Sequence, residues 1–495
     1  MKSNILLSFI LQEKQNRRYL GIAVVGGLIQ LVIFKLMYPF PDFISDSYNY
    51  IESAILHLPV NLWPIGYAKF IGAFHTITSS DTALVGCQYL LLQGSLLLLF
   101  YSLLYFHRPA ANTGKILFIF LLFNPAILYL SNAVLSDALF IMLSLLWWVQ
   151  FMWMMHRPRI HQIFILAALL FAAFTLRYTA MYYPLVAAVA FGLSSHSLRW
   201  KVLGSVLGVA VMIPFILYTQ SETKKVTGTA EFSVFGGWQL ANNAMYMRGN
   251  IHVDSNLLPP ETRELDRMTV AYYKYAPPGY FNFDDFPGTF FIKHQEAPLK
   301  QYMWKYYAKE DRESGMLSWG KVSPIYNAYG KWLIRHYPVE FARDYMWMNT
   351  KNYFVPFLEK FDIYNLGLDS AWQPAPYWFH WKTAAVRSVS KTLPGYIFYP
   401  YPAIFMALNF YFLFSFLWLL FTRKLGRLDP LFRKSLLLLV TFLIVNFGFS
   451  IFATPVVLRY QLIPMILLFC YSMLLLEGGE GKVGKSAEKA TMEPV

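Results

Sequence analysis

The chain has 495 residues, 56% of them hydrophobic and 18% aromatic but only 14% charged, a balance that excludes an ordinary soluble globular protein. Its net charge of +14 would suit a nucleic-acid partner. The basic residues fall instead in short loops between apolar runs, so topology accounts for them and nucleic acid is set aside.

The first apolar run, Tyr19 to Tyr38, follows Lys14, Arg17 and Arg18. It is long and no small-residue cleavage site follows it, so an uncleaved anchor is expected rather than a signal peptide. Next comes PDFISDSYNYIESA, Pro41 to Ala54. Read as a helix, it sets Ile44, Tyr48, Ile51 and Ile55 on one side and Asp42, Asp46, Asn49, Tyr50, Ser53 and His57 on the other. The apolar side is expected to rest on the bilayer surface, leaving Asp46 facing outward.

Six further runs follow at Ala83 to Phe106, Ile116 to Ser131, Leu135 to Met155, Ile163 to Leu176, Ala180 to Leu193 and Val202 to Tyr218. Three more lie near the end, at Ala403 to Phe421, Ser435 to Thr454 and Leu462 to Leu476. Several are shorter than the roughly 20 residues of a comfortable span. The pattern predicts an α-helical polytopic membrane protein of about ten transmembrane helices, seven and then three.

The positive-inside rule places both termini in the cytoplasm, because Arg108, Lys115, Arg157, Arg159, Arg199, Lys201, Arg423, Lys424, Arg427, Arg433 and Lys434 all fall in alternate loops. The expected organisation is a seven-span module over residues 1–218 with a first outer loop at 39–82, then an extracytoplasmic domain over 219–400. Three spans over 401–476 and a polar cytoplasmic tail over 477–495 complete it. The outer domain is expected to be mixed α/β or largely helical. Both cysteines, Cys87 and Cys470, fall in predicted spans, so it must fold without disulfides. It also lacks an Asn-x-Ser/Thr acceptor, which favours a bacterial inner membrane and periplasm over a secretory lumen.

The membrane half retains few charges beyond the cytoplasmic loops: Lys35, Lys69, Arg177 and Arg459, with Asp42, Asp46, Glu52, Asp81 and Asp137. All map to the outer side, and charges near hydrocarbon are costly unless they pair or serve a purpose. A transporter would more naturally hold them near the midplane on two related halves. Clustering at one surface suits chemistry on a substrate whose phosphate sits at headgroup level and whose polyprenyl tail stays in lipid. Transfer of a sugar from such a carrier needs a base for the acceptor hydroxyl and cations for the departing phosphate. No acid is needed, since a phosphate monoester leaves readily as an anion.

Each residue also has a plainer reading. Asp46 would serve as a helix N-cap, Asp42 as a turn residue, and Asp137 or Ser136 as the cap of the fourth span. Lys35 and Lys69 would snorkel, Arg177 and Arg459 would join an aromatic belt through Tyr178 and Tyr460, and Asn124-Pro125 would kink a helix. In FGGWQLANNAMYMRGN, Trp238, Asn242 and Asn243 have the character of a sugar site, but the aromatics more often fill a core.

The segments SDSYNYIESA, LWPIGYAKFIGAF, NPAILYLSNAVLSDALF, TLRYTAMYYP and LRYQLIP, in this order, resemble the GT-C superfamily of integral-membrane glycosyltransferases, which includes protein O-mannosyltransferases and the lipid A aminoarabinose transferase. Ala68 stands where many members have the second proline of a Pro-Gly-Tyr-Pro segment. The resemblance implies an inverting glycosyltransferase using a polyprenyl-phosphate-linked sugar, with Asp46 at the reaction centre and Asp42 and Asp137 supporting it. It implies Arg459 and Arg177 as ligands of the donor phosphate; by residue type and position alone, Lys69 is a further candidate for that phosphate, and Tyr50 with Trp238, Asn242 and Asn243 are candidate contacts for sugar or acceptor. The acceptor is a glycan, lipid or protein. The resemblance fixes no cofactor, since such enzymes differ in their need for a divalent metal; magnesium or manganese held by Asp46 and Asp137 is compatible with the residues, although no His-rich ligand spacing accompanies them. The competing readings are a glycan ligase or polymerase using a pyrophosphate carrier, a lipid-linked sugar transporter or flippase, and a non-catalytic sugar-binding scaffold.

Overall fold

Long apolar helices with basic flanks must satisfy their backbone internally in lipid. The computed structural model describes residues 5–277, 280–283, 286–307, 315–453 and 455–477. Helices make up 75% of it and no strand occurs among the described residues, so the protein is an α-helical polytopic membrane protein. Eight helices are long and apolar enough to cross a membrane: α1 (Lys14–Met37), α4 (Asp81–His107), α5 (Ala111–Asn132), α6 (Asp137–His156), α9 (Leu198–Thr227), α14 (Leu393–Phe421), α15 (Pro430–Ala453) and α16 (Leu458–Leu476). Two shorter apolar helices, α7 (His161–Leu176) and α8 (Tyr178–Leu193), stand between α6 and α9.

Against the ten expected spans, eight helices reach spanning length, two apolar helices fall short of it, and the ends of several differ from the expected ones. Helix α9 runs nine residues past the expected Tyr218, and α14 begins at Leu393 instead of Ala403, so the segment between them is 228–392. Helix α5 breaks at Asn124, whose Oδ1 accepts the Ala126 N–H at 3.0 Å and caps the second half; Pro125 takes the first helical position, where it loses nothing. Of the expected tail only Glu477 lies within the described residues.

Burial separates the bundle's axis from its rim. The buried share of the spans runs from 11% in α1 to 72% in α6 and 78% in α16. Helices α6 and α16 form the axis, and both begin at the end of the bundle that carries the 228–392 segment.

That segment has two parts. The first is a helical unit around α10 (Val234–Arg248) and α12 (Met316–His336). They approach closely at Gly237 and Gly330, where an added Cβ would lie 2.1 Å from the Ser323 carbonyl oxygen and 2.4 Å from the Leu240 carbonyl carbon. The second is an irregular strap over 355–392. It covers the two first-loop helices, α2 (Ser45–Ile55) and α3 (Gly66–His75), and is tied to α1 by a hydrogen bond from Val389 N to Met37 O at 2.9 Å.

The strap overturns the expectation that α2 rests on the bilayer. Ile51 is fully buried, the Tyr48 ring stacks on Trp372 at 4.7 Å, and the Trp372 N–H donates to Tyr48 Oη at 3.2 Å. Aromatic stacking within the protein replaces lipid contact on that face.

Candidate functional site

Two short parallel bridges bring distant parts of the chain together. In one, Asp42 N donates to Asn132 O at 2.9 Å and Val134 N donates to Asp42 O at 3.2 Å, which sets the start of α2 beside the turn into α6. In the other, Leu458 N donates to Phe357 O at 2.8 Å, which sets the strap beside the start of α16. The chain four residues beyond Asp42 carries Asp46, and the chain two residues beyond Phe357 carries Glu359. Asp137 opens α6, and Arg459 is the second residue of α16.

These four side chains meet. Arg459 Nε donates to Glu359 Oε2 at 2.7 Å, its Nη1 donates to Asp137 Oδ2 at 3.3 Å, and its Nη2 lies 3.7 Å from Asp46 Oδ2. The other Asp137 oxygen accepts from Arg177 Nη1 at 2.5 Å. Both guanidiniums lie over the Tyr460 ring, Arg177 at 4.3 Å and Arg459 at 4.5 Å from its centroid. Lys293 Nζ stands 3.6 Å from Glu359 Oε1. A cation at a helix N-terminus opposes the macrodipole, and three carboxylates offset that cost for Arg459.

The electrostatics separate the acids. Burial raises the Asp46 carboxyl above the ordinary aspartate range, and Glu359 and Asp137 push the same way while Arg459 and Lys293 pull it back. Its side chain keeps 23% of its surface accessible, so it is not sealed from solvent. Burial would raise Glu359 too, but Arg459 and then Lys293 outweigh that and hold it below the ordinary range. A cavity of about 30 Å3 adjoins the cluster, lined by Asp137, Arg177, Tyr182, Asn446, Arg459 and Gln461 among others. It has room for ordered water and not for a sugar ring.

Comparison with protein-family models, curated proteins and solved structures gives no match to this chain. The site therefore rests on its own geometry.

Of the residues singled out from the sequence, Asp46, Asp137, Arg177 and Arg459 converge. Asp46 lies in the first turn of α2 while Ile44 takes the N-cap position. Tyr50 lies beneath the cluster, buried, with its hydroxyl 3.2 Å from Ser136 Oγ and its ring 4.9 Å from Tyr67; it supports the floor and offers no surface to a sugar.

The others lie elsewhere. Asp42 is buried in an ion pair with Lys360 and accepts the Asn365 N–H at 2.9 Å, so it holds the strap and faces no substrate. Lys69 is exposed on α3, and no ion pair joins it to the cluster among the described residues. Trp238 is fully buried, stacked on Trp319 at 3.9 Å and donating from Nε1 to Trp319 O at 3.1 Å. Asn242 donates to Gly288 O at 2.8 Å, and Asn243 donates to Phe452 O at 2.8 Å at the end of α15. All three build and fasten the outer unit. Between Asp46 and Asp137, the expected place of a shared divalent cation, the Arg459 guanidinium stands at 3.7 and 3.3 Å.

Sequence reasoning missed Glu359, Lys293 and Lys360. Nothing local distinguishes them from the other charges of the outer segment; only the Phe357 to Val457 bridge brings Glu359 to Arg459.

Proposed function

We propose that the protein is a GT-C-type glycosyltransferase of a bacterial inner membrane, with its 228–392 segment in the periplasm. It moves a sugar from a polyprenyl-phosphate carrier to an acceptor hydroxyl with inversion. Asp46 takes the hydroxyl proton as the acceptor oxygen bonds to the anomeric carbon. The bond from that carbon to the phosphate oxygen breaks, and the polyprenyl phosphate departs with the electron pair, its charge met by Arg459 and Arg177. The observation that carries this reading is that Arg459 stands between Asp46 and Asp137, at 3.7 and 3.3 Å, where the two central helices begin. A base and two phosphate-binding cations then share one spot at the membrane's edge, as the reaction demands.

The first test is mass spectrometry of lipids that copurify with the wild type and with Arg459→Ala. A polyprenyl phosphate carrying a sugar, held by the wild type and lost from the variant, is the expected result. If only bulk phospholipid accompanies both, and added polyprenyl-phosphate sugars do not bind, the donor assignment fails. A flippase would keep moving lipid-linked sugar after Asp46→Asn, whereas a transferase keeps donor binding and loses turnover.

A further inference from the structure

Two other buried charge pairs have structural explanations. Arg248 grips Asp266 with two hydrogen bonds, at 2.6 and 2.9 Å, and Tyr329 completes that site at 2.7 Å inside the outer unit. Lys360 and Asp42 fasten the strap. Glu359 is different. Its carboxylate lies between two cations of separate elements, Arg459 Nε at 2.7 Å and Lys293 Nζ at 3.6 Å. Its backbone is left-handed, with φ of 48°, a strained conformation for a residue with a side chain.

Asp137 offers a contrast. It is 4% accessible, begins a central helix and gives one oxygen to each arginine, so it is a fixed counter-ion. Glu359 is 25% accessible, hangs from an irregular strap and has a half-exposed lysine on its open side. A carboxylate and a phosphate accept the same guanidinium and ammonium hydrogen bonds, and the phosphate carries more oxygens and more charge.

We propose that Lys293 and Arg459 together form the anion site for the lipid phosphate, and that Glu359 is its resident counter-anion, which the phosphate displaces. Lys293 thereby joins the binding residues, and Glu359 acts as a positioning residue that keeps Arg459 aimed at the site until substrate arrives. This rests on the lipid-phosphate reading above.

The test uses the full chain in phosphatidylcholine nanodiscs titrated with a polyprenyl monophosphate, with affinity read by native mass spectrometry. Removing the competing charge in Glu359→Gln is expected to tighten binding about tenfold, and Lys293→Ala to weaken it about tenfold, each the worth of one charge-assisted hydrogen bond. A purely structural Glu359 would give no gain. The proposal is overturned if Glu359→Gln, melting as the wild type does, binds no tighter, or if Lys293→Ala binds as the wild type does. Lys293 is exposed enough for its variant to fold, so that arm decides alone if Glu359→Gln does not. No saturable binding by the wild type, or full affinity in Arg459→Ala, overturns the lipid-phosphate reading and this inference with it. Loss of binding in Arg459→Ala without a gain in Glu359→Gln overturns this inference only.

Discussion

Asp137 divides its two oxygens between Arg177 and Arg459, which leaves Asp46 as the acid with the longest and weakest hold on a guanidinium, 3.7 Å against 2.5 and 3.3 Å. That weak hold suits a base, because a carboxylate bound tightly to arginine is a poor proton acceptor. Asp46→Asn is therefore expected to cut turnover by about 10²- to 10⁴-fold while binding of polyprenyl-phosphate sugar stays near wild type; a variant that still turns over would remove Asp46 from the base role. The pH dependence has a definite sign. Asp46 must be ionised to accept a proton and its carboxyl sits above the ordinary value of 3.8, so kcat/KM should rise with pH through a limb placed above that value. A profile already flat across the ordinary aspartate range would contradict it. At this scale the four converging residues were legible because charge near lipid is rare and each had to be explained. Asp42 misled for the same reason: it is buried by a lysine from a segment 318 residues away, which no local pattern announces.

Helix α3 shows how an element sets a site it does not enter. An added Cβ on Gly66 would lie 2.4 Å from the Thr175 carbonyl oxygen, two residues before Arg177. Helix propensity alone favours alanine there by about 1 kcal/mol, but overpacking against backbone costs about 1–3 kcal/mol, and the clash should win. Gly66→Ala is expected to lower the melting temperature and to cut activity by shifting Arg177 from Asp137; a stabilised, fully active variant would show that α3 adapts freely. The strap makes a second case. Removing one partner of the buried Lys360–Asp42 pair leaves an uncompensated charge, worth about 3–5 kcal/mol, so Lys360→Met should destabilise by that amount in denaturant titrations. Combining it with Asp42→Asn should recover most of the loss, since Asn keeps an acceptor for Asn365 N–H. Neither role was legible from apolar periodicity. The Gly66 contact is backbone against backbone, and the strap is irregular, so it carries no period to read.

At the scale of the whole molecule, the alternation of basic loops and apolar runs made the polytopic α-helical class legible, because hydrocarbon imposes one solution on the backbone. It misplaced ends where helices continue into polar sequence, as α9 does through Lys224 and Lys225 to Thr227. The proposed orientation has a direct test. In a chain lacking Cys87 and Cys470, a single cysteine at the exposed Tyr377 of the strap should react with an impermeant maleimide in intact cells, after opening of any outer membrane. One at Lys115, at the far end of the bundle, should react only after lysis; the reverse pattern would invert the topology. The two bridges that assemble the cluster carry a consequence for how the protein is made. Asp46, Asp137 and Arg177 leave the ribosome early, but Arg459 follows Arg177 by about 280 residues, roughly 15 to 60 s at ordinary synthesis rates. Through that interval Asp137 has Arg177 alone and Glu359, when it emerges, has no guanidinium, so a nascent chain holds an unfinished and electrically unbalanced centre. On the proposed mechanism activity can arrive only with the last helix, because a chain truncated before it lacks Arg459 and leaves Asp46, Asp137 and Glu359 without their shared guanidinium.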